Sequence, residues 1–179
     1  MNDEPTAPLP PTEAVHAAPE RAPAPTRDTA GVIAPPPLVY LAGLLVWLAI
    51  DRLGIGSGFD MPPSLRWTLA VSLGLVGALF VALALTRFRA ANTPAPPWQP
   101  TTALVTSGIF GRTRNPMYLG FTQIYLALAF AFDAPVTLLL LLPVLIAMHY
   151  GVIRREERYM TGKFGAAYVD YAARVPRWM

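Results

Sequence analysis

The chain has 179 residues, 54% of them hydrophobic and only 14% charged, with a net charge of +3 at neutral pH. That is too apolar for a soluble domain of this length, so a membrane protein is the first reading. The absence of cysteine excludes disulfides, thiolate catalysis and thiolate metal sites, and the small positive charge is accounted for by membrane topology without a nucleic-acid partner.

Residues 1–34 are rich in Pro and Ala, with acidic residues near the start and no basic stretch ahead of an apolar core. This composition predicts a disordered cytoplasmic tail and not a signal peptide. Beyond it the charges fall between long uncharged runs, Thr29–Ile50, Trp67–Thr86, Asn115–Phe132 and Ala134–Ile153. Each approaches or exceeds the roughly 20 residues a helix needs to cross a hydrocarbon core about 30 Å thick. An all-α, polytopic membrane domain over 35–179 follows, with spans at about 36–52, 66–87, 116–132 and 134–153. A soluble bundle would need amphipathic helices, whereas "LLLLLPVLIAM" is apolar all round.

Basic residues set the orientation. Arg87, Arg89, Arg112 and Arg114 lie between the second and third spans, and Arg154, Arg155, Arg158, Lys163, Arg174 and Arg177 follow the fourth. Only Arg52 and Arg66 lie between the first two. Both termini are therefore expected on the cytoplasmic side.

The connection "ANTPAPPWQPTTALVTSG" carries four prolines, which forbid a regular helix and predict an extended segment along the cytoplasmic face. Its competing readings are a functional loop and a plain linker. Only "FDAP" joins the third and fourth spans, which predicts a tight antiparallel hairpin with the entrance of one beside the exit of the other.

The polar residues concentrate at that junction. In "RTRNPMYLG", Pro116 suits the first turn of a helix, whose free N–H groups and the adjacent Arg112 and Arg114 would favour an anion; anchoring by snorkelling arginines is the competing explanation. The fourth span ends in "HYGVIRREERYM". At about 100° per residue, His149 and Glu156 fall on nearly one face and would suit a cationic ligand, against the alternative of interfacial Arg–Glu pairs. His16 and His149 show no metal-ligand spacing, so no metal is expected. Phe164, Tyr168, Tyr171 and Val175 then form an apolar stripe on a C-terminal helical segment, 154–175, expected to lie against the membrane or cap the hairpin. Such a stripe reads as packing, with a lid as its functional reading.

"GIFGRTRNPMYLG", the apolar hairpin, "REERYM" and "FGAAYVDYAARVPRW" together resemble the isoprenylcysteine carboxyl methyltransferase family, with its small prokaryotic members and the related phospholipid methyltransferases. The resemblance runs from about Thr101 to Trp178. Those enzymes carry an Arg-His-Pro-x-Tyr-x-Gly segment, a hydrophobic hairpin, a Glu-Glu pair and a Phe-Gly-x-x-Tyr-x-x-Tyr tail ending near Val-Pro. It implies an S-adenosylmethionine pocket at the cytoplasmic face, lined by Arg114, Tyr118, Gly120, Glu156 and Glu157, to which the residue reading adds Asn115 and His149. Asn115 replaces the histidine of eukaryotic members; it can hydrogen-bond but not titrate. No residue is assigned a chemical step, and Arg114 and Asn115 are the candidates for one. The implied activity is methyl transfer to a lipophilic acceptor entering from the bilayer, the carboxylate of a prenylated cysteine or another lipid-like group, in a bacterial inner membrane whose lipids are the surrounding partners. A membrane reductase related to sterol reductases and a non-enzymatic scaffold are the alternatives; the adjacent glutamates argue against the first and the retained polar cluster against the second.

Overall fold

Prolines start the four apolar helices. α1 (Pro36–Arg52), α2 (Pro63–Ala90) and α3 (Pro116–Ala131) carry proline in their first turn, and α4 (Val136–Met148) follows Pro135. A fixed φ and a missing N–H cost nothing at that position. The computed structural model describes residues 28–179, and among the described residues there is no β-strand. Residues 1–27 of the expected tail lie outside the described residues.

The helices fall where the uncharged runs predict them. α2 and the continuous helix Val136–Phe164 have 28 and 29 residues and mean hydropathies of 2.4 and 2.3, long and apolar enough to cross a bilayer. α1 and α3 are shorter, at 17 and 16 residues. Leu75 and Leu79 of α2 and Leu139 and Leu142 of α4 are each more than half exposed. An apolar surface this extensive is suited to lipid and marks the chain as membrane-associated.

Both short connections sit at one end of the bundle. The Phe59 N–H donates to Asp133 Oδ1 at 2.8 Å, Arg66 pairs with Asp133 Oδ2 at 2.8 Å, and Phe59 stacks on Phe130 with ring centroids 4.8 Å apart. At the other end lie the proline-rich connection and everything after α4.

The third and fourth helices form an antiparallel hairpin with the entrance of one beside the exit of the other, as expected, but they do not pack tightly along their length. α3 and α4 meet near their turn, where the Tyr125 hydroxyl donates to the Thr137 carbonyl at 3.2 Å, but elsewhere α1 lies between them. The Tyr40 hydroxyl donates to the Tyr118 carbonyl at 3.2 Å and shares a 2.9 Å hydrogen bond with Thr122. Gly43 brings α1 against Val144 of α4 and Tyr125 of α3. Tyr40 of α1, Tyr118 and Tyr125 of α3, and Val144 and Met148 of α4 share one buried core, with Phe121 packed against it.

α2 packs along α3 through a pair of glycines. A Cβ on Gly120 would lie 2.8 Å from the Gly77 carbonyl oxygen, and one on Gly77 would lie 2.7 Å from that of Gly120. Close backbone approach of this kind is a common way for apolar helices to associate in a bilayer. Gly120→Val should therefore destabilise the fold by about 2 kcal/mol through overpacking, read as a lower melting temperature in detergent; an unchanged melt would contradict this contact.

The C-terminal segment is two helices where one was expected. α5 (Arg154–Phe164) and α6 (Ala166–Arg174) break at Gly165, whose φ of 54° and ψ of −132° are essentially closed to residues with a Cβ. A π-helical turn, His149–Ile153, joins α4 to α5. Residues 28–34 lie along this turn and α5, with the Ile33 N–H donating to the Gly151 carbonyl at 3.1 Å.

Candidate functional site

The break at Gly165 turns the chain back toward the start of α3, and the last residues cross Thr113–Asn115. The Arg114 N–H donates to the Pro176 carbonyl at 3.0 Å. The Thr113 hydroxyl and the Asn115 side-chain amide both donate to the Arg177 carbonyl, at 3.1 and 3.0 Å. This contact is closed electrostatically by Glu157. Its carboxylate takes Arg114 at 3.0 Å on Oε1 and the two-pronged guanidinium of Arg177 at 2.9 and 2.7 Å. Glu157 is thus neutralised by two arginines, and its hydrogen bonds hold the Arg177 guanidinium above its ordinary pKa.

Glu156 is in the opposite situation. It lies beyond Ile153, the last residue of the apolar run, and accepts a 2.5 Å hydrogen bond from the Tyr118 hydroxyl. No lysine or arginine pairs with it among the described residues. Burial pushes its carboxyl up to about 7, against the Tyr118 bond, which lowers it, and with the Glu157 charge adding to the rise. One turn of α5 therefore presents a compensated carboxylate and an uncompensated one.

Both face an open-mouthed cavity between the proline-rich connection, the start of α3 and the two C-terminal helices. Phe88, Pro94, Pro96 and Pro97 form one wall, and Tyr159, Tyr168 and Tyr171 another. Burial pushes the Tyr168 and Tyr171 phenols up, so both stay neutral, and the Tyr171 hydroxyl donates to the Phe110 carbonyl at 2.8 Å.

Of the residues singled out in the sequence, Arg114, Asn115, Tyr118, Glu156 and Glu157 line this cavity. Gly120 does not; it belongs to the α2–α3 crossing. His149 does not either. The π-turn winds more widely than an α-helix and shifts the register of α5, so the imidazole packs edge-on against Tyr150, 4.7 Å between centroids, while Glu156 faces the cavity. Sequence reasoning missed Arg177, whose partner is 20 residues away, and Tyr159. The proline-rich connection and the aromatic stripe are the sequence signals for the walls, although such a stripe by itself points to packing.

The model of the phospholipid methyltransferase family matches residues 65–167, more than half of the chain. The chain belongs to the phospholipid methyltransferase family. This agrees with the resemblance carried by the Arg114–Gly120 segment and the glutamate pair. No curated protein and no solved structure matches the chain. The match covers all but the first two residues of α2, the proline-rich connection, α3, α4 and the glutamates of this methyltransferase-family chain. Residues 28–34, α1 and the tail that supplies Arg177 lie outside it.

Proposed function

We propose that this phospholipid methyltransferase family member binds S-adenosylmethionine in the cavity and methylates a lipophilic acceptor. One observation carries the reading: an uncompensated carboxylate, Glu156, shares the cavity with a buried guanidinium, Arg114, whose Nε has no hydrogen-bond partner. A carboxylate with no cationic partner and a guanidinium with one N–H still free, facing one apolar-walled space, complement an amino acid that carries an extra positive charge. The residues present therefore fit S-adenosylmethionine, Glu156 opposite its cationic groups and Arg114 toward its carboxylate.

When bound, S-adenosylmethionine supplies the methyl group and departs as a neutral thioether. The chain aligns the reacting atoms and keeps water out. Tyr118 fixes the Glu156 carboxylate, and the tyrosine and proline walls shield the centre. Asn115 spends its amide N–H on the Arg177 carbonyl, which suits an orienting role better than proton transfer. α1 to α4 are the four spans, with both termini cytoplasmic in a bacterial inner membrane. The acceptor, a prenylated cysteine carboxylate or another lipid-like group, enters from the bilayer while the cofactor enters from the cytoplasm.

Incubating the detergent-purified protein with methyl-labelled S-adenosylmethionine and membrane lipids should move label into the organic-extractable fraction, and Arg114→Ala should prevent it. No labelled lipid from a folded wild-type protein would contradict the activity.

The pH dependence has a defined sign. The carboxylate of Glu156 forms as pH rises through about 7, so affinity for S-adenosylmethionine should rise roughly tenfold from pH 6 to pH 8 and level off above. Stability of the ligand-free protein runs the other way, since a raised carboxyl pKa contributes stability at acidic pH that is lost as pH rises through about 7. Titrations across this range check both, and a flat affinity profile would remove Glu156 from the role.

A further inference from the structure

One phenol oxygen fastens two walls of the cavity together. The Tyr159 hydroxyl donates to Asp28 Oδ1 at 2.9 Å, accepts the Thr101 N–H at 3.1 Å and accepts Lys163 Nζ at 3.0 Å. Lys163 Nζ also pairs with Asp28 at 2.5 Å. Asp28 opens the segment 28–34, whose Ala30 lines the cavity, while Thr101 belongs to the proline-rich connection, which lines it from another side.

The segment is held unevenly. At its far end Val32 packs against the buried core, and the Ile33 N–H donates to the Gly151 carbonyl of the π-turn at 3.1 Å. In its middle Arg155 donates to the Gly31 carbonyl at 2.8 Å. At its near end the fastening is solvent-facing, with the Asp28 side chain 57% and the Lys163 side chain 24% exposed. Ion pairs in such positions are weak and screened by salt. A firmly seated end and a weakly fastened end make a hinged strap. The Lys163 hydrogen bond holds the Asp28 carboxyl below its usual range, so the fastening stays charged at neutral pH and responds to salt.

We propose that residues 28–32 are a hinged wall of the cavity, latched by Asp28 to Tyr159 and Lys163, and that opening this latch sets the rate at which the cofactor is exchanged. The proposal rests on the reading of the cavity as a cofactor site. It also assigns a positioning role to residues 28–32, which lie outside the segment that matches the family.

The test is a charge swap in the full-length protein. Asp28→Lys and Lys163→Asp each place like charges at the latch; the double substitution restores an opposite pair. Release of S-adenosylhomocysteine, followed by rapid dilution, should quicken roughly two- to fivefold in each single variant and return toward the wild-type rate in the double. Half-molar salt should move the wild type toward the single variants. In the ligand-free proteins, hydrogen exchange at the Thr101 amide, which donates to the Tyr159 hydroxyl of the latch, should quicken in the singles and recover in the double. Equal release rates in all four proteins would overturn the gating role, and equal exchange would overturn the latch itself. A wild type that binds no S-adenosylhomocysteine, yet shows the expected exchange pattern, would contradict the cofactor site while upholding the moving wall.

Discussion

Glu157→Gln is expected to release the C-terminal tail and destabilise the protein by about 3 kcal/mol, because it strands two partly buried guanidinium groups that share a single carboxylate. Arg114 and Arg177 both depend on Glu157 for charge compensation. Their side chains are only 15% and 33% exposed, so water replaces the carboxylate poorly. An amide of the same shape can accept one hydrogen bond but carries no charge and cannot serve both arginines. Thermal unfolding in detergent should show the loss, and the Arg114 amide, now covered by the Pro176 carbonyl, should exchange faster. Unchanged stability would mean that the tail is held by its backbone contacts alone.

Glu156→Gln should behave differently although the two residues are adjacent. The Tyr118 hydroxyl can donate to the amide oxygen as it does to the carboxylate, and no arginine is stranded, so the fold should be kept. What is lost is, among the described residues, the one uncompensated negative charge in the cavity. Affinity for S-adenosylmethionine should fall by at least roughly 30-fold, the scale of removing one partner from a desolvated charge pair. S-adenosylhomocysteine lacks the sulfonium charge and should lose less. Glu156→Ala should abolish cofactor binding. Equal affinities in wild type and Glu156→Gln would contradict the role given to this carboxylate; equal losses for both ligands would move its partner from the sulfonium to the amino group.

The helices were legible because desolvation leaves few ways to write them. Uncharged runs such as Trp67–Thr86 and Ala134–Ile153 cannot be accommodated cheaply as loops, and prolines such as Pro63 and Pro116 mark the first turns. Much of the cavity was legible as well, since Arg114, Asn115 and Tyr118 are close in sequence and Glu156 and Glu157 are adjacent. What could not be read were contacts between distant segments. The place of α1 between α3 and α4 depends on the buried core that Tyr40 shares with Tyr118, Tyr125, Val144 and Met148. The crossing of Arg177 over Asn115 joins residues 62 apart and is produced by one backbone conformation at Gly165. The π-turn after Met148 leaves no mark in hydrophobic periodicity, yet it separates His149 from Glu156, which an ideal helix would align.

The docking of residues 28–34 shows the same limit. Composition placed them in a tail, and for Pro- and Ala-rich sequence that is the sound expectation. Specific partners override it here: a buried core that Val32 packs against, a π-turn carbonyl that accepts the Ile33 N–H, and a phenol that binds Asp28.

The most direct measurement is a calorimetric titration of the full-length, detergent-purified protein with S-adenosylhomocysteine, beside Glu156→Ala and with a nicotinamide dinucleotide as the control ligand. A cavity that pairs Glu156 and Arg114 with a sulfur-bearing amino acid nucleoside should bind S-adenosylhomocysteine with saturable heat, lose that binding in the variant, and ignore the dinucleotide. A folded wild-type protein that gives no heat with S-adenosylhomocysteine, or that binds the dinucleotide instead, would contradict the cofactor site.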